Sequence, residues 1–288
     1  MSMPKKALQN ELTRFLEEDV GQGDITTNAI VPIDTHVCAQ IIVKEPAIIC
    51  GIYETKVFFE MLGVSFSEKV NDGDEVAAGT VVAEVEGNGR PILTAERTIL
   101  NILMRMSGIA TETRRLVNEV KKTSPIIRIA ATRKTAPGLR YFDKRAVVVG
   151  GGDQHRMRLD DAVLIKDNHI VIAGGIDEAI KKARVSIGAS KKIEVEAKTR
   201  EQAIHAAKMG VDILMLDNMN LKEAEGTLKE LAARNLRKKV QIEISGGITP
   251  KNLVSYVKLK PDIISMGSLT HSVKAIDISL EVIKVKTM

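Results

Sequence analysis

The sequence predicts an α/β protein in two parts, and three observations carry that expectation. Residues 1 to about 108 contain short alternating runs broken by Asn/Asp/Gly turns, the texture of a small antiparallel sheet. Further on, strand-like apolar runs alternate with amphipathic helices, as in a parallel α/β barrel or a doubly wound sheet. Polar residues stand at or just beyond the C-terminal ends of those runs, which favours the barrel, where such ends converge on one mouth. A chain of 288 residues is long enough for a barrel plus a smaller partner.

Taken in order, MSMPKKALQNELTRFLEED reads as a helix and GQGDITT as a polar turn. The runs HVCAQIIVKEPAIICG and VSFSEKVNDGDEVAAGTVVAEVEG follow, with turn signals at Asn71-Asp72-Gly73-Asp74 and Gly87-Asn88-Gly89. The second run looks like a lipoyl or biotinyl carrier hairpin, but it has no lysine at the tip and is read as structural. From Thr94, TAERTILNILMRMSGIATETRRLVNEVKK has apolar residues near every third or fourth position and reads as one long helix. Strands are expected at PIIRIAAT, RAVVVGG, DAVLIKD, KIEVEA, DILMLD, QIEIS and DIISMG. Helices are expected at REQAIHAAKMG, NLKEAEGTLKELAARN and TPKNLVSYVKLK. The closing AIDISLEVIKVKTM is expected to return to the first domain as a helix or a strand. The expected division is therefore 1–108 with 273–288, and 109–272.

Composition narrows the function classes. Aromatics make up 3% of the chain and Trp is absent, so Ile, Val, Leu, Ala and Met must build the core. No apolar run approaches the roughly 20 residues of a membrane span, and the charged N-terminus has no apolar leader core; a cytoplasmic protein is expected. Cys38 and Cys50 belong to no metal-binding spacing and read as buried, reduced thiols. The net charge is +5, yet no Lys/Arg block interleaves with aromatics as nucleic-acid binding would require. The cations recur singly inside apolar, Gly-punctuated segments, the pattern of a pocket for a small polyanion.

The densest such stretch runs from Ala131 to His169 and includes Arg133, Lys134, Arg140, Lys144, Arg145, His155, Arg156, Arg158 and Lys166. For any one cation a solvated helix face is the simpler reading. It weakens for Lys166 after Val163-Leu164-Ile165 and for Arg133 after Ile129-Ala130-Ala131, because each ends an apolar run. Arg forks and Lys point charges suit carboxylates and phosphates. Two late runs end in glycine turns, Ser245-Gly246-Gly247 and Gly267-Ser268, which let backbone N–H groups cradle a phosphate. Glu196 and Asp217 end two further runs. They suit Mg²⁺, ribose hydroxyls or developing positive charge, against the simpler reading of a salt bridge to Lys198 or Lys166. No His stands at zinc-ligand spacing from either. Asp160-Asp161, His169 and His271 read as scaffold.

EDVGQGDITT, TAERTILNILMRMSGIAT, ATRKTAPGLR, GGGDQHRMRLDDAVLIKDNHI, IEVEA, LMLDN, IEISGGI and GSLTHS occur in that order and together resemble the quinolinate phosphoribosyltransferases. The resemblance implies an N-terminal α/β sandwich, an incomplete parallel α/β barrel, and a homodimer in which one subunit's N-terminal domain caps the other's barrel; further assembly into a hexamer stays open. By motif, Arg97 would reach the partner's site, and Arg133, Lys134, His155, Arg156 and Lys166 would bind quinolinate carboxylates and sugar phosphates. Glu196 and Asp217 would face the ribose and its metal, and Ser245, Gly246, Gly247, Gly267 and Ser268 would hold the 5′-phosphate. Catalysis is assigned to Lys134, Lys166, Glu196 and Asp217.

The implied reaction joins quinolinate to phosphoribosyl pyrophosphate with Mg²⁺ and no organic cofactor, giving nicotinic acid mononucleotide, pyrophosphate and CO₂. Its substrates are polyanions, which matches the cationic blocks. A related protein linked to molybdenum transport shares the TRKT and GGG-HR blocks but differs around IKDNH, which is intact here. Nicotinate phosphoribosyltransferase takes a monocarboxylate, which the unbroken Arg/Lys set suits less well. A non-catalytic anion carrier would not need Glu196 and Asp217 together.

Overall fold

The computed structural model describes residues 3–188 and 190–286. In chain order the elements are α1 (Lys5–Val20), α2 (Ile25–Ile30), β1 (His36–Val43), β2 (Ala47–Ile48), α3 (Ile52–Met61), β3 (Ser65–Glu68), β4 (Glu75–Val76), β5 (Val81–Asn88) and α4 (Gly89–Lys121). They continue with β6 (Arg128–Ala130), α5 (Arg140–Val149), β7 (Val163–Ile165), α6 (Asp167–Ala173), α7 (Ile176–Ile187), β8 (Ile193–Ala197), α8 (Arg200–Lys208), β9 (Ile213–Asp217) and α9 (Leu221–Ala233). The last are β10 (Gln241–Ser245), α10 (Leu253–Val257), β11 (Ile263–Ser265), α11 (Ser268–His271) and β12 (Ile278–Lys286). No helix among the described residues is long and apolar enough to cross a membrane.

Two compact units form. One joins Met1–Arg114, Pro137–Gly151 and Val273–Met288; the other joins Arg115–Ala136 and Gly152–Ser272. Residues 109–114 and the segment Pro137–Gly151 group with the first unit.

In the first unit an antiparallel sheet has the order β12-β1-β5-β3, and β2 pairs with β4. Strand β1 alternates strictly, with Val37, Ala39, Ile41 and Val43 buried, because successive side chains of a strand face opposite sides. The C-terminal run is a strand, β12, paired antiparallel with β1. The expected N-terminal helix is α1, which buries Leu8 and Leu12. The Gly87-Asn88-Gly89 signal marks no hairpin: β5 runs through Asn88 and α4 starts at once, five residues before Thr94. RAVVVGG, expected as a strand, lies largely in α5. Its β-branched valines argue locally for a strand, but tertiary packing overrides that preference. Tyr141, Phe142, Ala146 and Val147 are buried on this helix, and the Phe142 ring lies 5.7 Å from that of Phe15. Both cysteines are free; Cys50 is buried and Cys38 half-buried.

In the second unit six parallel strands take the order β6-β11-β10-β9-β8-β7. Strands β7 to β11 are sequential neighbours, and β11 then pairs with β6. That is the circular order of a barrel with the β6–β7 pairing missing, whereas a doubly wound sheet would reverse direction at an internal strand. The fold is an incomplete parallel α/β barrel. Thr199 and Asn220 cap α8 and α9 by accepting backbone N–H bonds from Gln202 and Glu223. The TPKNLVSYVKLK helix is short, only Leu253–Val257. Helices α6 and α7, absent from the expectation, follow β7 and carry exposed Val171, Ile172 and Val185.

Candidate active site

Parallel strands deliver their C-terminal residues to one end, and there the second unit holds a cavity of about 450 Å³. After β6 come Thr132, Arg133 and Lys134; Lys166 follows β7; Glu196 lies in β8 and Asp217 ends β9. Ser245, Gly246 and Gly247 close β10, and Ser265 ends β11. His155 and Arg156 complete the set from the segment before β7. The expected residues of the second unit therefore converge, with two exceptions at the edge. Gly267 and Ser268 do not line the cavity, although Gly267 lies against Lys134, whose Cδ would be 3.1 Å from an added Cβ. Arg97 is exposed on α4 in the first unit.

Alternation sets the chemistry in depth. Along each strand, residues two apart share a face, so Glu194 lies behind Glu196, Met215 behind Asp217, and Glu243 behind Ser245. The front row is half-exposed, while Glu194 and Glu243 are 1% and 0% exposed. Sequence reasoning missed this back row. Its signal was a carboxylate in the middle of an otherwise apolar strand, in IEVEA and in QIEIS.

The cationic wall holds like charges together. Arg133 has a buried Nε with no hydrogen-bond partner among the described residues. Burial and then the neighbouring Arg133 charge lower the Arg156 pKa, while its Nη1 donates to the Ala162 carbonyl at 3.3 Å. Lys166 Nζ donates to Glu196 Oε1 at 2.5 Å, so Lys166 is the salt-bridge partner of Glu196 at the cavity. Lys198 pairs with Asp167 instead, at 2.6 Å. The Lys134 carbonyl accepts from buried Thr270 Oγ1 at 2.8 Å, and the Lys134 N–H donates to Thr132 Oγ1 at 3.1 Å.

The glycine turn after β10 has a steric cause. Gly246 sits at φ +84°, and a Cβ there would press into Asn218, whose N–H donates to the Ser245 carbonyl at 2.9 Å. Asn252 braces the turn, donating to the Gly247 carbonyl at 3.0 Å and accepting from the Thr249 N–H at 2.8 Å. Neither the Gly246 nor the Gly247 N–H donates to an acceptor among the described residues, which leaves two donors for an anion. Ser265 Oγ donates to Ser245 Oγ at 2.8 Å.

His155 is held on every side. Its backbone takes φ +53°, its N–H donates to Asp153 Oδ1 at 2.7 Å, and its Nε2 lies 3.0 Å from Glu243 Oε2 and 3.4 Å from Glu194 Oε2. Burial alone would lower its pKa, but the hydrogen bonds and charges of Glu194 and Glu243 outweigh that and raise it. The Arg156 N–H, donating to Nδ1 at 2.8 Å, opposes a second ring proton. The two influences pull opposite ways, and the Nδ1 contact places the ring proton on Nε2, facing Glu243 and Glu194. The scaffold readings also have partners: Asp161 Oδ2 accepts from the N–H groups of Met157 and Arg158, His169 Nδ1 accepts from the Lys166 N–H, and His271 Nδ1 meets Ser272 Oγ.

Comparison with known proteins matches the C-terminal domain of quinolinate phosphoribosyl transferase over residues 109–281 and its N-terminal domain over residues 24–107. The chain is 47% identical over 275 residues to a probable nicotinate-nucleotide pyrophosphorylase [carboxylating] of Methanocaldococcus jannaschii, covering 95% of this chain and 96% of that one. It is 39% identical over 296 residues to quinolinate phosphoribosyltransferase [decarboxylating] 2a of Nicotiana tabacum, covering 97% of this chain and 83% of that one. The crystal structure of NadC from Streptococcus pyogenes superposes with a TM-score of 0.88 at 37% identity, covering 99% of this chain and all of that one.

Proposed function

The chain belongs to the quinolinate phosphoribosyl transferase family, and from that premise we propose that it transfers phosphoribose from phosphoribosyl pyrophosphate to quinolinate with loss of CO₂, in NAD biosynthesis. The observation that carries the reading is a cavity walled by Arg133, Lys134, Arg156 and Lys166, in which the buried Arg133 Nε has no acceptor among the described residues. Like charges held together in one wall favour an anionic ligand, and a vicinal dicarboxylate suits two arginine forks and a lysine.

In this reading the Gly246 and Gly247 N–H groups, with Ser245, hold the sugar's 5′-phosphate, and Gly267 and Ser268 extend that cradle. Arg133, Arg156 and Lys166 orient quinolinate so that its ring nitrogen faces the anomeric carbon. The nitrogen lone pair forms the new C–N bond as the C–O bond to pyrophosphate breaks and that oxygen keeps the electron pair. Glu196 and Asp217 stabilise the positive charge that develops on the ribosyl carbon, and Lys134 the charge on the leaving pyrophosphate. The quaternised ring then accepts the electrons of the breaking C2–carboxylate bond, CO₂ departs, and C2 takes up a proton. Two carboxylates at neighbouring strand ends form an oxygen donor set that fits a hard divalent cation. Glu196 and Asp217 would hold Mg²⁺ carried in with phosphoribosyl pyrophosphate, and that ion would add charge stabilisation for pyrophosphate. No organic cofactor enters this scheme.

The reading extends to a homodimer in which Arg97 of one chain completes the other chain's site, in the cytoplasm. The test supplies phosphoribosyl pyrophosphate, Mg²⁺ and quinolinate labelled in its C2 carboxylate, with nicotinate in a parallel reaction. Label release, with mononucleotide from quinolinate only, is the expected result; mononucleotide from nicotinate alone would reassign the substrate. Arg97→Ala and Lys166→Ala chains, each inactive alone, should recover activity when mixed, and no recovery despite subunit exchange would remove the shared site.

A further inference from the structure

Glu194 and Glu243 are the most anomalous groups of the second unit: carboxylates 1% and 0% exposed, directly behind a site that gathers cations. Burying a carboxylate costs several kcal/mol unless it is well paired. Each also keeps one buried oxygen, Oε1, with no hydrogen-bond partner among the described residues. What the pair does engage is a single imidazole. His155 Nε2 reaches Glu243 on β10 at 3.0 Å and Glu194 on β8 at 3.4 Å, on either side of β9.

We infer that Glu194 and Glu243 are positioning residues for the acceptor-binding arginine: they hold the His155 ring, and the ring holds the backbone of Arg156. The inference rests on the dicarboxylate reading of the cavity. Both ring nitrogens are committed within the protein, Nε2 to the carboxylates and Nδ1 to the Arg156 N–H at 2.8 Å. His155 therefore acts through Arg156 and not by lending a ring nitrogen to the substrate. The left-handed backbone at His155, φ +53°, is held by this clamp and by the Asp153 bond, and it sets the direction in which the Arg156 side chain leaves. The three groups are close enough together to suggest a metal site. The Nδ1 contact argues against one, because an imidazole that accepts at Nδ1 carries its proton at Nε2 and has no lone pair there for a metal.

Two variants of the full chain test this, leaving Glu194 alone because it neighbours Glu196. Glu243→Met removes the acceptor at similar length, and Glu243→Gln retains one. The Met variant should raise the KM for quinolinate about tenfold, the scale of one lost hydrogen bond to a charged group. The KM for phosphoribosyl pyrophosphate should stay near its starting value, and Gln should recover most of the loss. Binding of phthalate, an unreactive vicinal dicarboxylate, should weaken in parallel by calorimetry. Nitrogen-15 spectra of His155 should show one Nε2–H tautomer in the parent and a mixed population in the Met variant. A lower melting temperature with unchanged KM and phthalate affinity would make the trio merely structural and overturn the inference. So would stoichiometric divalent metal removed by Glu243→Met, or a His155 spectrum with protons on both nitrogens. If the parent binds phthalate but turns over no quinolinate, the proposed reaction fails while the phthalate and nitrogen-15 measurements still decide the clamp.

Discussion

Each unit buries arginine beside carboxylates, and the two arrangements differ in whether the charges close on themselves. In the first unit Arg145, 16% exposed, meets Glu54 Oε2 at 3.2 Å and Asp72 Oδ2 at 2.5 Å. Tyr141 OH donates to the other Glu54 oxygen at 3.1 Å, and Asp72 Oδ1 accepts the N–H groups of Gly51 and Ile52 at the start of α3. Burial raises Glu54, and the Arg145 charge pulls it back. In the second unit burial and then the Arg133 charge lower the Arg156 pKa, and the buried Arg133 Nε–H lacks an acceptor among the described residues. The first network balances its charges without a ligand and ties α5 to the chain before it, although Glu54 Oε2 meets Arg145 as an ion pair and not as a hydrogen bond. The second leaves the Arg133 Nε–H without an acceptor among the described residues, beside a cavity that gathers cations. Buried charge is therefore not itself the mark of a site; unbalanced charge facing a cavity is.

Breaking the closed network should have the largest effect. Arg145→Met strands two carboxylates, and unfolding free energy should fall by about 3–5 kcal/mol in denaturant titration. The protein that remains folded should keep its turnover number. The open network should respond the opposite way: Arg133→Ala or Lys166→Ala should leave the melting temperature nearly unchanged while turnover falls about 100- to 1,000-fold, the scale of removing a pre-oriented charge or donor. An Arg133→Ala protein that melts early but turns over normally would erase the distinction. Gly246→Ala sits between the two extremes. Its positive φ and the Asn218 contact should cost about 1–3 kcal/mol, and the KM for phosphoribosyl pyrophosphate should rise with that for quinolinate steady.

The smallest effect is a titration. Burial, followed by the Glu54 charge, pushes the Tyr141 hydroxyl up to about 12. A raised folded-state value means that its contribution to stability is complete below the unfolded value near 10 and is lost as pH rises toward about 12. Ultraviolet difference spectra should show one tyrosinate appearing late, and Glu54→Gln should bring it earlier. An unshifted tyrosine in that variant would remove Glu54 from the cause.

The cavity was legible for a geometric reason. A residue at the end of an apolar run is delivered to the mouth of a parallel array whichever neighbours it has, so Arg133, Lys166, Glu196, Asp217 and Ser245 were readable one run at a time. RAVVVGG was not, because its valines state a local preference that the packing of Tyr141 and Phe142 overrules. Glu194 and Glu243 escaped because their role depends on strands 49 residues apart in number and on one imidazole from a third segment.

Sequence alone thus determined the α/β class, the chemistry of the cavity wall and the family resemblance, since periodicity and residue type are local properties. Only the tertiary structure decided the circular strand order that makes a barrel, the return of Pro137–Gly151 to the first unit, and which carboxylate each cation faces. Those depend on distances between residues far apart in the chain, and Coulomb and hydrogen-bond energies are set by distance in space and not by separation in sequence.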